Sequence, residues 1–162
     1  LAQIRKLPKI LEIQKKNNNQ LKNILSQVPE ISFRRVPDPE GDSHTFLSWF
    51  LPGEEITRAV INEFKAQNIA GGHFYWFDNN WHYIRKWDHL KTGVTLNKLS
   101  EEHKKAVIHQ ANKNFMLSDA VMSRCVSTAI SLGWTEEQIK DKGEKMVAVI
   151  KKILKQNAIT AG

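Results

Sequence analysis

Half of the chain's 14 aromatic residues fall in one stretch, Phe74-Tyr75-Trp76-Phe77-Asp78-Asn79-Asn80-Trp81-His82-Tyr83-Ile84-Arg85-Lys86-Trp87. Aromatic side chains bury large areas and favour strands. A strand, however, sends successive side chains to opposite faces, so only half of such a run can enter one core. A fold that accommodates this stretch must offer a core on one side and a second covered surface on the other. The polar residues mixed into it leave three uses open. The rings are core; or Asn79, Asn80 and His82 meet hydroxyls, Trp76 and Trp81 meet a sugar ring and Arg85 meets a carboxylate; or the rings stack bases of a single-stranded nucleic acid.

The rest of the pattern alternates helix and strand. Ile4, Leu7 and Leu11, then Leu21, Ile24, Leu25 and Val28, recur at helical spacing, predicting a helix over 3–28 with a break at Pro8, which lacks an N–H and crowds the preceding turn. The pattern is running from Leu1 without a capping residue, as in a sequence cut from something longer. Pro29 to Ser43 reads as an extended link with a turn cluster at Pro37–Asp42. His44 to Leu51 is a mostly apolar strand, expected to be buried on both faces. Glu54 to Asn68 is an amphipathic helix with acids in its first turn. His73 to Phe77 is a second strand, and Trp81 to Leu90 a short helix. Ser100 caps a helix to Asn114. A helical turn from Ser118 leads into a strand over Val126–Ser131, with Cys125 in it or at its edge. Thr135-Glu136-Glu137-Gln138 fits a capping box opening the last helix. The class predicted is α+β: a small mixed or antiparallel sheet packed against helices, with long N-terminal and C-terminal helices.

Composition narrows function. Hydrophobic residues at 41% and charged residues at 25% exclude a disordered tail. No apolar run reaches the ~18 residues of a membrane helix. A single cysteine, Cys125, excludes an internal disulfide framework and a cysteine zinc cage. The net charge of +7 is concentrated in residues 1–35, where eight Lys/Arg face only Glu12 and Glu30. Spread along a helix, that excess reads as a solvated face or half of an interface before it reads as a nucleic-acid site. No P-loop, dinucleotide glycine turn or His-Glu-x-x-His is present, and His82 and His89 are wrongly spaced for a metal pair. From the residues alone, no complete catalytic site emerges.

Three segments do resemble a known family. Gln67-Asn68-Ile69-Ala70-Gly71-Gly72-His73-Phe74-Tyr75-Trp76, continuing through Asn79-Asn80-Trp81-His82, is similar to part of the pyridoxal-phosphate sugar aminotransferases of the DegT/StrS family. There a helix ends at glycine, an aromatic strand follows, and a Pro-Leu-His turn comes next. Leu132-Gly133-Trp134-Thr135-Glu136-Glu137-Gln138-Ile139 resembles the family's Leu-Thr-Glu-Glu-Gln-Ile run into the last helix. Leu1-Ala2-Gln3-Ile4-Arg5-Lys6-Leu7 resembles the helix leaving the large cofactor domain. Within the family, Ile31–Arg34, Pro37–Ser43, Asn79–Tyr83, Ala120–Arg124 and Ser131–Thr135 are most like the enzymes that aminate a Kdo-type sugar acid.

The resemblance implies that residues 1–28 lead from an absent large cofactor domain and that 29–162 form the small C-terminal domain. The parent enzyme would be a cytoplasmic homodimer that moves an amino group from a donor such as glutamate to a keto-sugar. It would use pyridoxal phosphate bound to a lysine of the large domain. No lysine of this chain stands in the family's Schiff-base context, so the chain alone is expected to bind no cofactor and to hold no catalytic residue. The substrate side would be formed by His82, matching the family's Pro-Leu-His histidine with Asn80-Trp81 in place of Pro-Leu, and by Trp81, Asn80, Asn79 and Trp76. Arg124 is the residue assigned to a substrate carboxylate. No membrane, metal or nucleic-acid partner is expected. The alternative is a stand-alone carbohydrate- or nucleic-acid-binding module.

Overall fold

The computed structural model describes residues 4–69, 72–79, 81 and 83–160. A 3-10 turn at Ile4–Lys6 leads into α1 (Leu7–Leu25). There follow β1 (Ser32–Phe33), β2 (Phe46–Phe50), α2 (Glu54–Ala66), β3 (His73–Tyr75), α3 (Asp88–Thr92), α4 (Glu101–Ala111), α5 (Met116–Met122), β4 (Cys125–Ala129) and α6 (Glu136–Thr160). The four strands form one antiparallel sheet in the order β1-β2-β4-β3. The predicted α+β class, antiparallel sheet and long terminal helices are therefore as observed.

Register sets the two faces. Leu47 and Trp49 of β2, Val126 and Thr128 of β4, and His73 and Tyr75 of β3 share one side. Against them pack Leu21 and Leu25 of α1, Val60 and Phe64 of α2, and Ile139, Met146 and Ile150 of α6, forming one core. Trp49 is wholly buried there, and its indole N–H is kept satisfied by Thr128 Oγ1 at 3.1 Å. The other side carries Phe46, Ser48, Phe50, Phe74, Cys125 and Ser127, and rings from the β3 turn cover it in place of a helix pair. The expectation that the strand at 44–51 is buried on both faces is corrected: its burial alternates, and Phe46 remains 41% exposed.

Pro8 does not break the first helix. It occupies the first turn of α1, where its missing N–H would have no intrahelical partner. Asn17 and Asn18, poor helix formers, are buried mid-helix because they serve carbonyls that the fold would otherwise strand. Asn17 Nδ2 donates to Ser131 O at 2.9 Å, and Asn18 Nδ2 lies 3.3 Å from the carbonyls of both His44 and Phe46. The link between α1 and β2 contains β1, a two-residue edge strand the composition did not reveal. The predicted strand over 73–77 stops at Tyr75 and winds into a 3-10 turn, Trp76–Asp78. The predicted helix over 81–90 is instead a 3-10 turn at Ile84–Lys86 followed by α3. Helix α5 begins two residues before the expected Ser118, and strand β4 begins at Cys125, which the sequence placed in the strand or at its edge, and ends at Ala129, short of the expected Ser131.

The two capping readings hold. Ser100 Oγ accepts from His103 N at 3.2 Å. Thr135 Oγ1 accepts from Gln138 N at 3.2 Å while Gln138 Oε1 accepts from Thr135 N at 2.9 Å, closing the box at the start of α6. Among the described residues no helix is long and apolar enough to cross a membrane.

Candidate functional site

The aromatic stretch divides as strand alternation requires. Tyr75, Phe77 and Tyr83 turn toward the core side, with centroids 6.1 Å apart for the first pair and 5.5 Å for the second. Arg58 of α2 lies over Tyr75 and Phe77, 5.3 and 5.6 Å from the ring centres. Its guanidinium also holds Asp78 through Nη1 (2.6 Å) and Nη2 (3.2 Å), and Glu54 through Nε (2.8 Å). Those two carboxylates raise the Arg58 pKa further. Burial alone would push the Asp78 carboxyl up, but Arg58 and Lys86 together outweigh it and hold it below its ordinary value. The 3-10 turn brings Asp78 to Arg58, which is why the strand ends early.

Phe74, Trp76 and Trp81 go the other way. Phe74 and Trp76 stack at 5.5 Å with 16° between planes, and Trp81 leans on Phe74 at 6.2 Å. Phe46 meets Phe74 edge-on at 5.7 Å. Trp76 Nε1 donates to Ser127 Oγ at 2.7 Å, and Ser127 Oγ lies 2.6 Å from Ser48 Oγ, so a short polar line runs beneath the rings. Trp81 presents an indole that is 64% exposed. Asn79 Oδ1 accepts from Trp81 N at 2.6 Å, fixing the turn that carries it. Flat apolar rings beside hydroxyl and amide groups make a surface that can take a sugar ring edge or face.

The assigned site residues do not all meet there. Trp76, Asn79 and Trp81 belong to this turn. Asn80 and His82 lie outside the described residues. Arg124 stands between α5 and β4: its Nε donates to Ala120 O at 3.0 Å, and its carbonyl accepts from Leu51 N at 3.1 Å. Arg85, offered by the sequence as a carboxylate ligand, instead grips Asp119 of α5, to which the Tyr83 hydroxyl also donates. That pairing ties the 83–87 segment to α5 and commits the guanidinium to structure.

A cleft of about 270 Å³ lies between α2 and the β3 turn, lined by Arg58, Ile61, Lys65, His73, Asp78 and Asn79 among others. His73 shares a 3.0 Å hydrogen bond with Thr128 Oγ1, and its Nε2 is buried without a partner. Burial first, then the charge of Lys142, lowers its pKa to about 4, so the ring is neutral at physiological pH. Lys142 itself is buried on α6, with Nζ 5.0 Å from the centre of the Trp134 ring, and desolvation lowers it to about 8. No group of three or more His, Cys, Asp or Glu that could hold a metal occurs among the described residues.

A second, larger cleft of about 440 Å³ opens between α1 and the segment joining β1 to β2. Arg34 and Arg35 line it, and sequence reasoning did not assign them to any site. The signal was present in Ser32-Phe33-Arg34, where alternation puts Phe33 inward and Arg34 on the far face opposite Ser48.

No protein-family model matches the chain. Among solved structures, the fold is similar to that of 3-amino-5-hydroxybenzoic acid (AHBA) synthase, with a TM-score of 0.57 and 14% sequence identity. The match covers 93% of this chain and 37% of that one.

Proposed function

We propose that this chain is the small C-terminal domain of a pyridoxal-phosphate aminotransferase of DegT/StrS type. It completes the substrate side of an active site whose cofactor is held by a larger domain. The observation that carries this reading is the fold likeness: nearly the whole chain superposes on little more than a third of a synthase whose named product bears an amino group. The order of the three sequence resemblances supports it independently. So does the distribution of apolar surface. Ile4 of the first 3-10 turn and Leu7 and Leu11 of α1 are 69%, 47% and 36% exposed, and Met116 and Leu117 of α5 are also open. Such surface fits contact with a further domain. Residues 1–28 would then be the linking helix and 29–162 the domain proper.

The residues of this chain do not themselves fit pyridoxal phosphate. A Schiff-base site needs a lysine beside a free carboxylate for the pyridine nitrogen. Lys142, the buried lysine, lies under Trp134, and no described cleft includes it. Lys65 and Asp78 line one cleft, but Asp78 is already taken by Arg58 and Lys86. On the proposed reading the cofactor is held by the partner domain.

For the substrate we propose a keto-sugar, specifically a Kdo-type sugar acid aminated to 8-amino-3,8-dideoxy-manno-octulosonate, with glutamate as donor, in a cytoplasmic homodimer. Trp81 and Trp76 would take the sugar face, and Asn79, Asn80 and His82 its hydroxyls. Arg124 would take the carboxylate with the nitrogens not used by Ala120 O. Titrating the 162-residue chain with pyridoxal phosphate tests the division of labour. The expected result is no stoichiometric aldimine absorbance. A one-to-one band that borohydride fixes to a lysine of this chain overturns it.

A further inference from the structure

Four of the eight cations in the first 35 residues, which the proposed function does not use, line one cleft. Lys15 and Lys22 of α1, with Arg34 and Arg35 beyond β1, line the 440 Å³ cleft, whose apolar wall includes Phe33 and Phe46. Very little within the fold neutralises them. Lys15 reaches Glu40 at 3.7 Å, but that carboxylate is 89% exposed, so the pair is weak. Lys22 Nζ lies over the Phe33 ring at 5.4 Å. Arg34 and Arg35 form no ion pair among the described residues. The other acid of the cleft, Asp42, is turned to His44, accepting from its N at 3.3 Å and facing its Nδ1 at 3.6 Å.

The segment over this cleft is held in a defined shape. His44 has φ of +55°, a conformation a side chain adopts at a cost of about 1–3 kcal/mol unless its surroundings enforce it. Asp42 clasps it from one side, and Asn18 of α1 holds the carbonyls of His44 and Phe46 from below. Four cations kept around one concavity repel each other, and an anion relieves that repulsion. A guanidinium fork matches two oxygens of a phosphoryl group, and a group with several charges uses more of the cations that line the cleft than one carboxylate does. The volume is that of a small-molecule site. Glu40 and Asp42 at the same cleft oppose a continuous nucleic-acid backbone.

We propose that this cleft binds a small molecule carrying a phosphoryl or pyrophosphoryl group, gripped by Arg34 and Arg35, steadied by Lys22 and Lys15, with the remainder of the ligand against Phe46. This site is independent of the aminotransferase reading and stands or falls separately from it. Calorimetric titration of the 162-residue chain with sodium pyrophosphate and with glucose 6-phosphate tests it, with gluconate and a short single-stranded oligonucleotide as comparisons. Saturable binding of both phosphates is expected, weakened by added salt and by about tenfold or more in R34A/R35A. A thermal melt of the double variant checks that it folds. In the unaltered chain, pyrophosphate should shift the backbone amide resonances of residues 33–48 and leave those of α2 and α4 in place, a readout that needs no variant. The proposal is overturned if neither phosphate binds at low salt, if binding survives R34A/R35A, if gluconate binds as tightly, if the oligonucleotide is the preferred ligand of the same residues, or if the resonance shifts fall elsewhere.

Discussion

His73 shows how a single residue's environment was hidden from the sequence. Its position in an aromatic strand was legible; its burial against Phe64, 4.9 Å between ring centres, and its link through Thr128 to the Trp49 indole were not. Those depend on register across strands that are distant in sequence. The consequence is a pH dependence of known sign. The unfolded imidazole takes up a proton near pH 6.5, and the folded one only near 4. The stability it contributes is full above pH 6.5 and is lost as pH falls toward 4. Replacing His73 by Gln should reduce the stability lost between neutrality and about pH 4.5 by about 2 kcal/mol. Urea unfolding at the two pH values measures this; an unchanged difference would show that the ring is not buried neutral. Lys142 has the same sign at a higher window: its contribution is lost as pH falls from 10.5 through 8. Lys142→Met should therefore stabilise the fold near neutrality, and less so near pH 10, as thermal melts would record. At the site, Trp81 is exposed enough to reach a ligand. Under the proposed function, Trp81→Ala in the full-length protein should raise KM for the keto-sugar roughly three- to tenfold with kcat little changed. Unchanged KM would remove it from the site, and the same test applies to Arg124.

Elements were legible where the signal is local and obscured where it is not. The Thr135 capping box and the Ser100 cap are short-range chemistry, written within four consecutive residues each, and both were readable from the sequence. The periodicity of α1 and α6 was equally plain. The edge strand β1 was not, because two residues carry no period and its pairing with β2 is made across a 12-residue link. Nor was the role of Asn17 and Asn18, polar residues that the fold uses as a clamp. The packing of α1 on α6 also rests on a detail no pattern reveals. A Cβ at Gly143 would meet Ile24 Cγ2 at 2.8 Å and Ile24 Cβ at 3.1 Å. These atoms sit close to the α1 backbone and have little room to yield. Gly143→Ala would gain about 1 kcal/mol of helix propensity and lose about 1–3 kcal/mol to overpacking. A net loss in thermal stability is expected, recovered when Ile24→Ala is added; a simple gain would mean the two helices part easily.

Across the molecule, the sheet is the informative object. One face is closed by α1, α2 and α6, and the other is topped by Phe74, Trp76 and Trp81 with Phe46 partly open. The sequence predicted two covered surfaces for the aromatic stretch, and the molecule uses one as core and leaves the second as a platform. The platform, the exposed stripe of α1 and the open residues of α5 together describe a domain with surface to share. Under the proposed function that surface meets the larger domain. The proposed function is tested most directly on the full-length protein it posits, purified and reduced with borohydride, with the pyridoxyl adduct mapped by mass spectrometry. One adduct is expected, on a lysine outside residues 1–162, together with transfer of an amino group to a keto-sugar. Absence of any adduct, or an adduct on a lysine within these 162 residues, would refute the assignment of this chain as the small domain of such an enzyme.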